Sequence, residues 1–290
     1  MAEPLPISYL NGEFVPLREA RISPLDRGFL YSDGAYEVMP VYSGRPFRFD
    51  AHAERLTRSL DAIKMEDPHT RAEWRTLIAT LITRNGGGDQ YVYWQVTRGA
   101  EFGRNHAPLP HIPRTVFAFC APLPVTSAET LENGVSCVTA EDTRWARCDV
   151  KSVSLLANIL LRQLAVDANA AETILLRGGE LMEASASAVH VVSGGVIISP
   201  PKSHRILPGT TRSVMEEVAV RAGVSYTAAR ISEQQLRNAE EVWISAATRE
   251  VQPVTRLDGK PIGTGKPGPV WRRIYEQWQS YKRELVGQPW

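Results

Sequence analysis

The spacing of apolar residues changes several times along the chain, and each change marks an element. Near the start, Tyr9, Leu10, Phe14 and Val15 flank Asn11-Gly12, a dipeptide that suits the two positive φ angles of a type I′ hairpin. Leu56, Leu60 and Ile63 recur at helical spacing, and Asp50 stands where a helix N-cap is expected. Thr70-Arg71-Ala72-Glu73 has the form of a capping box and leads into Trp74, Leu77, Ile78 and Leu81 on one helical stripe. Asn85-Gly86-Gly87-Gly88 stops that helix. Residues 91–98 and 115–120 are rich in β-branched and aromatic side chains and predict strands.

Ala121-Pro122-Leu123-Pro124 predicts a break, because prolines remove backbone donors and restrict their neighbours. It divides a small N-terminal domain, residues 1–120, from a larger one, residues 129–290, with residues 121–128 as the linker. Beyond it, residues 135–139 predict a strand. Residues 152–168 predict a helix whose Leu155, Leu156, Ile159, Leu160 and Leu164 face a core. Short strands follow at 173–176, 189–192 and 196–198, the last two turning at Gly194-Gly195. Residues 211–222 predict a helix closed by Gly223, Ser232-Glu233-Gln234-Gln235 repeats the capping-box pattern, and residues 242–245 predict a strand. The alternation of helices and strands makes the class mixed α/β.

Composition narrows the chemistry. The chain has 290 residues, at roughly 150 per domain enough for one large or two ordinary domains. Its formal charge is +1, so it carries no global field for nucleic acid or an anionic membrane surface. No run approaches the ~20 apolar residues of a membrane-spanning helix. Cys120, Cys137 and Cys148 are odd in number and lack CxxC spacing, and the N-terminus has no signal-peptide pattern, so a reducing cytoplasm is expected. The six histidines lack metal-ligand spacing, and no metal is expected. Of 33 Lys and Arg only six are lysine, at 64, 151, 202, 260, 266 and 282. The arginine majority favours bidentate anchoring of carboxylate or phosphate.

Several motifs have a chemical reading and a bland one. Gly263-Thr264-Gly265-Lys266-Pro267-Gly268 fits G-x-G-x-x-G, but Pro267 and Pro269 break the helix that a dinucleotide site must open, so a loop is expected. Lys151 lies between Val150 and Val153 just before an apolar helix. Desolvation there would make its amine a usable nucleophile; alternatively it is a solvated loop lysine. Leu207-Pro208-Gly209-Thr210-Thr211-Arg212 opens a helix whose N–H groups suit a phosphate, or it is a turn with a Thr N-cap. Glu183, among small residues 184–187, faces either a ligand's ring nitrogen or solvent. Arg55 is a phosphate ligand or sits on the wet face of its helix.

Taken in order, the motifs decide. Asp33-Gly34-Ala35-Tyr36-Glu37, His52-x-x-Arg55-Leu56, Gln95-Val96-Thr97-Arg98-Gly99 with Arg104-Asn105-His106, Lys151, Glu183, Leu207-Pro208-Gly209-x-Thr211-Arg212 and Glu250-Val251-x-Pro253-Val254 run nearly the length of the chain. The set resembles the fold-type-IV pyridoxal-phosphate aminotransferases, and within them the D-amino-acid branch. The resemblance implies two domains, a smaller N-terminal α/β domain and a larger C-terminal pseudo-barrel. It implies that Lys151 forms the Schiff base with pyridoxal 5′-phosphate and, once released, moves the proton. Glu183 accepts the pyridinium N–H, supported by Arg144, and Leu207 packs on the ring. Arg55, Gly209, Thr210, Thr211 and the Ala246-Ala247 turn surround the phosphate. Tyr36, Arg104 and His106 trap the substrate's α-carboxylate, with the 104–106 loop reaching a neighbouring subunit, so a homodimer with shared sites is implied. Substrates are then D-amino acids such as D-alanine, D-glutamate and D-aspartate, with a 2-oxo acid such as 2-oxoglutarate or pyruvate as acceptor.

Three positions depart from the family's pattern. Ala246 and Ala247 replace hydroxyl residues, leaving the phosphate to backbone groups and to Ser245 or Thr248, and Ala188 stands where Asn is usual. Competing readings are an aminodeoxychorismate lyase or a branched-chain L-amino-acid aminotransferase of the same fold, and a non-catalytic phosphate-ligand binder.

Overall fold

A computed structural model describes residues 3–288, which fall into two compact units. The first comprises residues 3–124 and Val150–Ser154; the second comprises Val125–Asp149 and Leu155–Gln288.

The first unit contains β1 (Ile7–Leu10), β2 (Glu13–Pro16), α1 (Arg27–Tyr31), β3 (Gly34–Tyr42), β4 (Arg45–Pro46), α2 (Phe49–Ala62), α3 (Arg71–Arg84), β5 (Gln90–Thr97) and β6 (Thr115–Pro122). Its sheet has the order β2-β1-β6-β5-β3-β4. The predicted hairpin is present: Leu10 pairs with Glu13 across Asn11 (φ 48°) and Gly12 (φ 105°), the two-residue turn its dipeptide favours. The Thr70–Glu73 capping box opens α3, whose Trp74, Leu77, Ile78 and Leu81 join Leu56 and Leu60 of α2 in the core against Met39, Val92 and Trp94 of the sheet. Asp50 is not an N-cap. Arg48 holds that position in the left-handed region, and Asp50, in the first turn, pairs with Arg75 of α3 at 3.0 Å. Residues 121–122 are also not yet linker: β6 runs through Pro122, opposite Gln90. A proline at a strand's last position interrupts no further ladder.

The second unit contains α4 (Ala128–Asn133), β7 (Val135–Glu141), α5 (Leu156–Asp167), β8 (Glu172–Arg177), β9 (Glu180–Ala184), β10 (Ala188–Ser193), β11 (Val196–Ser199), α6 (Thr210–Arg221), β12 (Tyr226–Ala228), α7 (Glu233–Arg237), β13 (Glu241–Ala246), β14 (Glu250–Leu257), β15 (Lys260–Pro261) and α8 (Pro269–Val286). Its nine-stranded sheet curls in the order β12-β11-β10-β13-β14-β7-β8-β9, with β15 on β14. The mixed α/β, two-domain expectation therefore holds.

Two helices differ from expectation. α5 begins at Leu156, and its buried side chains are Leu161 and Ala165. Leu156, Ile159, Leu160 and Leu164, expected in a core, are 45–70% exposed. The prolines near 268 do not break a helix, because Pro269 begins α8 at N1, where its missing N–H has no helical partner to lose. Glu241 reaches across to accept the N–H groups of Val270 and Trp271, both at 2.9 Å, capping α8 from a distant strand. The glycines beside it have structural causes. A Cβ on Gly268 would lie 2.1 Å from that carboxylate, and one on Gly263 would lie 2.1 Å from the Glu240 carbonyl. With its own acid on the helix N-terminus, this loop is no phosphate cradle.

Candidate active site

In the first unit, the segment Val150–Ser154 lies along the open edge of β3. Ser152 bridges Ala35, the Tyr36 N–H donates to the Lys151 carbonyl at 3.0 Å, and the Val153 N–H donates to the Gly34 carbonyl at 3.1 Å. The Lys151 N–H donates to Ser59 Oγ at 3.1 Å, tying the segment to α2 as well. Backbone bonds on both sides thus fix the lysine's Cα. Its ammonium stands 4.1 Å from the centroid of the Tyr36 ring, which stacks on Tyr93 with centroids 5.5 Å apart. Lys151 is partly buried, and no carboxylate pairs with it among the described residues.

Arg55 is not on a wet face. It is 4% exposed and turns into the unit, where Nε and Nη2 each donate to Glu37 at 2.7 Å. Glu37 is fully buried on the β3 face it shares with Ala35, Met39 and Val41. Burial opposes its ionisation, but the charge and hydrogen bonds of Arg55, with His52, hold its carboxyl down at about 2. An ionised carboxylate only accepts, so the His52 Nδ1 that meets it at 2.8 Å carries a proton. Burial also lowers the His52 pKa, which keeps that ring neutral. The sequence does not single out Glu37 as a functional candidate. The available signal is an acid at an inward position of an otherwise apolar alternating strand.

Arg104 and His106 occupy the loop between β5 and β6 and are exposed. They come together over Tyr31: the Arg104 guanidinium is 5.3 Å from its ring centroid, and the His106 ring is 5.5 Å away. Tyr36, packed on Lys151 and Tyr93, has no hydrogen bond or ring contact with either of them among the described residues.

In the second unit, Arg144, Glu183 and Leu207 come together. Asp142, its side chain fully buried, accepts from Arg144 Nε and Nη2, each at 2.9 Å, and from Arg177 at 2.9 Å. Held this way, Arg144 Nη1 donates to Glu183 Oε1, and the Leu207 N–H donates to the same carboxylate at 3.1 Å. Glu183 is 7% exposed, so it does not face solvent. Burial pushes its carboxyl up, against the pull of Arg144. Gly209 is the N-cap of α6 and brings no side-chain cap, so its own residue does not cover the first-turn N–H groups, which begin with Thr210 and Thr211. Arg212 turns inward, to the Pro200 carbonyl at 2.6 Å.

The Ala246-Ala247 turn follows β13 and is closed by the Arg249 N–H on the Ala246 carbonyl at 3.0 Å. The Ser245 hydroxyl is engaged inside the unit. Its Oγ is buried against His190 Nε2 at 2.8 Å, while His190 Nδ1 meets Ser199 Oγ at 2.7 Å.

Against proteins of known kind, residues 34–257 match the model of the family Amino-transferase class IV. The chain is 38% identical over 274 residues to the D-alanine aminotransferase of Staphylococcus aureus strain MSSA476, covering 94% of this chain and 96% of that one. It is 36% identical over 269 residues to the D-alanine aminotransferase of Listeria monocytogenes serotype 1/2a strain 10403S, covering 92% and 93%. Among solved structures, a branched-chain amino acid aminotransferase from T.th., with pyridoxamine 5′-phosphate, superposes with a TM-score of 0.89 at 28% identity, over 98% of this chain and 95% of that one. The Escherichia coli branched-chain enzyme shares the fold, with a TM-score of 0.90 at 24% identity over 95% and 94%. The chain belongs to the class IV aminotransferases, and its cofactor is accordingly pyridoxal phosphate.

The residues fit that group. Lys151 offers an amine with no carboxylate partner among the described residues, and Glu183 is a buried carboxylate pinned by an arginine. Its Oε2 accepts only a shared amide and retains room for one more donor.

Proposed function

We propose that this enzyme moves the amino group of a D-amino acid, D-alanine foremost, to a 2-oxo acid such as 2-oxoglutarate. The supporting observation is near-full-length similarity, at 36–38% identity, to D-alanine aminotransferases, together with the paired cation and imidazole of Arg104 and His106. Bound pyridoxal phosphate supplies an electron sink for the pair left when the Cα proton departs. Lys151 would hold the cofactor through its amine and, once released, would carry the proton taken from the substrate Cα. Glu183, paired with Arg144, would accept the ring N–H, and Leu207 would pack against the ring. Arg55, the N–H groups of Thr210 and Thr211, and the Ala246-Ala247 turn hold the phosphate. Tyr36, Arg104 and His106 receive the α-carboxylate.

The test is a product assay. D-Alanine with 2-oxoglutarate should give pyruvate and D-glutamate, and L-leucine should give no 2-oxo acid. Turnover of L-leucine without D-alanine would assign a branched-chain aminotransferase instead, and release of pyruvate from aminodeoxychorismate would assign a lyase.

The same reading includes a homodimer. Leu156, Ile159, Leu160 and Leu164 form a continuous exposed stripe on α5, and apolar stripes of this kind mark association surfaces. Leu160→Asp is expected to turn a dimer into a monomer in sedimentation equilibrium; an unchanged mass would remove α5 from the interface. We also place the enzyme in the cytoplasm, on the ground that Cys120, Cys137 and Cys148 are all unpaired thiols. Among the described residues, no helix is long and apolar enough to cross a membrane.

A further inference from the structure

The loop carrying Arg104 and His106 has little packing of its own, since every residue from Phe102 to His111 is exposed. One buried side chain beneath it supplies most of its anchorage. Arg27, the first residue of α1, is 3% exposed. Its Nη1 donates to Glu101 Oε1 and to the Asn105 carbonyl, both at 2.6 Å, and its Nη2 donates to the His106 carbonyl at 2.9 Å. Its Nε donates to Asp33 at 2.9 Å. Asp33 is held from the other side by Arg98, at 2.8 and 3.0 Å. The second oxygen of Glu101 accepts the Leu109 N–H at 3.0 Å, closing the far end of the loop. Arg27 also lies 4.6 Å from the centroid of Tyr31, the ring on which Arg104 and His106 rest.

We propose that Arg27 is the positioning residue of the substrate-carboxylate clamp. By holding the carbonyls of Asn105 and His106, it sets the loop conformation in which the Arg104 and His106 side chains meet the α-carboxylate. The inference rests on the reading of that pair as the clamp. Two features of the geometry carry it. A rigid fork spans two carboxylates and two carbonyls at once, which a lysine's single ammonium does not. The network is also charge-balanced, Arg27 and Arg98 against Asp33 and Glu101. Arg104, which has no ion pair among the described residues, therefore keeps its charge for an incoming anion.

Steady-state kinetics with D-alanine test this on the holoenzyme. Arg27→Lys and Arg27→Met should raise KM roughly tenfold to a hundredfold, the scale of a positional error near 1 Å, with kcat nearly unchanged and full cofactor content. Arg104→Ala should raise KM by itself, and adding Arg27→Met to it should bring little further loss, because both act through one group. Additive effects, or Arg27 variants with an unchanged KM beside an impaired Arg104→Ala, would overturn the role of Arg27. An unchanged KM in Arg104→Ala would instead overturn the clamp itself. If the Arg27 variants do not fold, Glu101→Gln decides: it weakens one anchor, and a raised KM supports the proposal while an unchanged one overturns it.

Discussion

Lys151→Ala is expected to lower D-alanine transamination by on the order of 10⁴-fold or more, since the proposed mechanism makes this lysine both the covalent anchor and the proton carrier. The other lysines suit that role less. Lys64, Lys202, Lys260 and Lys266 are exposed or lie in open loops, and Lys282, partly buried, is paired with Glu250 at 2.7 Å. Lys151 combines partial burial with the lack of a carboxylate partner among the described residues. Its backbone is bonded to β3 and to Ser59, so the amine projects from a fixed point. Lys282→Ala, which removes a paired amine, should leave turnover intact. Borohydride reduction and peptide mapping give an independent readout: the phosphopyridoxyl mass should sit on the peptide containing Lys151. Activity of Lys151→Ala within about tenfold of the unsubstituted enzyme, or the mass on another lysine, would sink the assignment.

Local signals read well from the chain. The Asn11-Gly12 hairpin and both capping boxes depend on residues within four positions of one another, and all three are present. Signals that depend on distant partners do not. Pro269 reads as a helix breaker because its complement, Glu241, lies on another strand 28 residues earlier. The apolar stripe of α5 is recognisable, but periodicity shows that a face is apolar and not what covers it. Arg55 cannot be placed on a wet or dry face without its counter-charge, and Glu37 is brought to it only by the packing of α2 on β3. The grouping of Lys151 with the first unit is also hidden, because it rests on backbone bonds to β3, which carry no sequence signature. The pairing of Arg144 with Glu183, by contrast, is expected from family resemblance, and the structure adds Asp142 as the group that aims the arginine.

The buried Glu37–Arg55–His52 group should dominate the effect of substitution on stability. Glu37→Gln leaves the Arg55 guanidinium buried without its counter-charge, and breaking such a pair costs about 3–5 kcal/mol. Acid should expose the same group in the unsubstituted protein. Glu37 is held near 2 in the folded chain, below its ordinary value of 4.5. Its contribution is therefore complete above 4.5 and is lost as pH falls toward 2, roughly 3 kcal/mol in all. The buried histidines act earlier. His52 is shifted down by burial, and His190 is pushed down to about 3, so the unfolded chain binds protons near pH 6.5 that the folded chain refuses. Stability is then lost as pH falls below 6.5, by about 2 kcal/mol at pH 5 from His190 alone. Urea midpoints measured between pH 7.5 and 4 should decline steadily on the acid side. In Glu37→Gln the midpoint should be far lower at pH 7, and its distance from the unsubstituted protein should begin to narrow below pH 4.5. A midpoint that is flat or rising between pH 7 and 5 would contradict the neutral, buried state of these histidines. A Glu37→Gln protein as stable as its parent at pH 7 would mean that Arg55 does not depend on Glu37 for its charge balance.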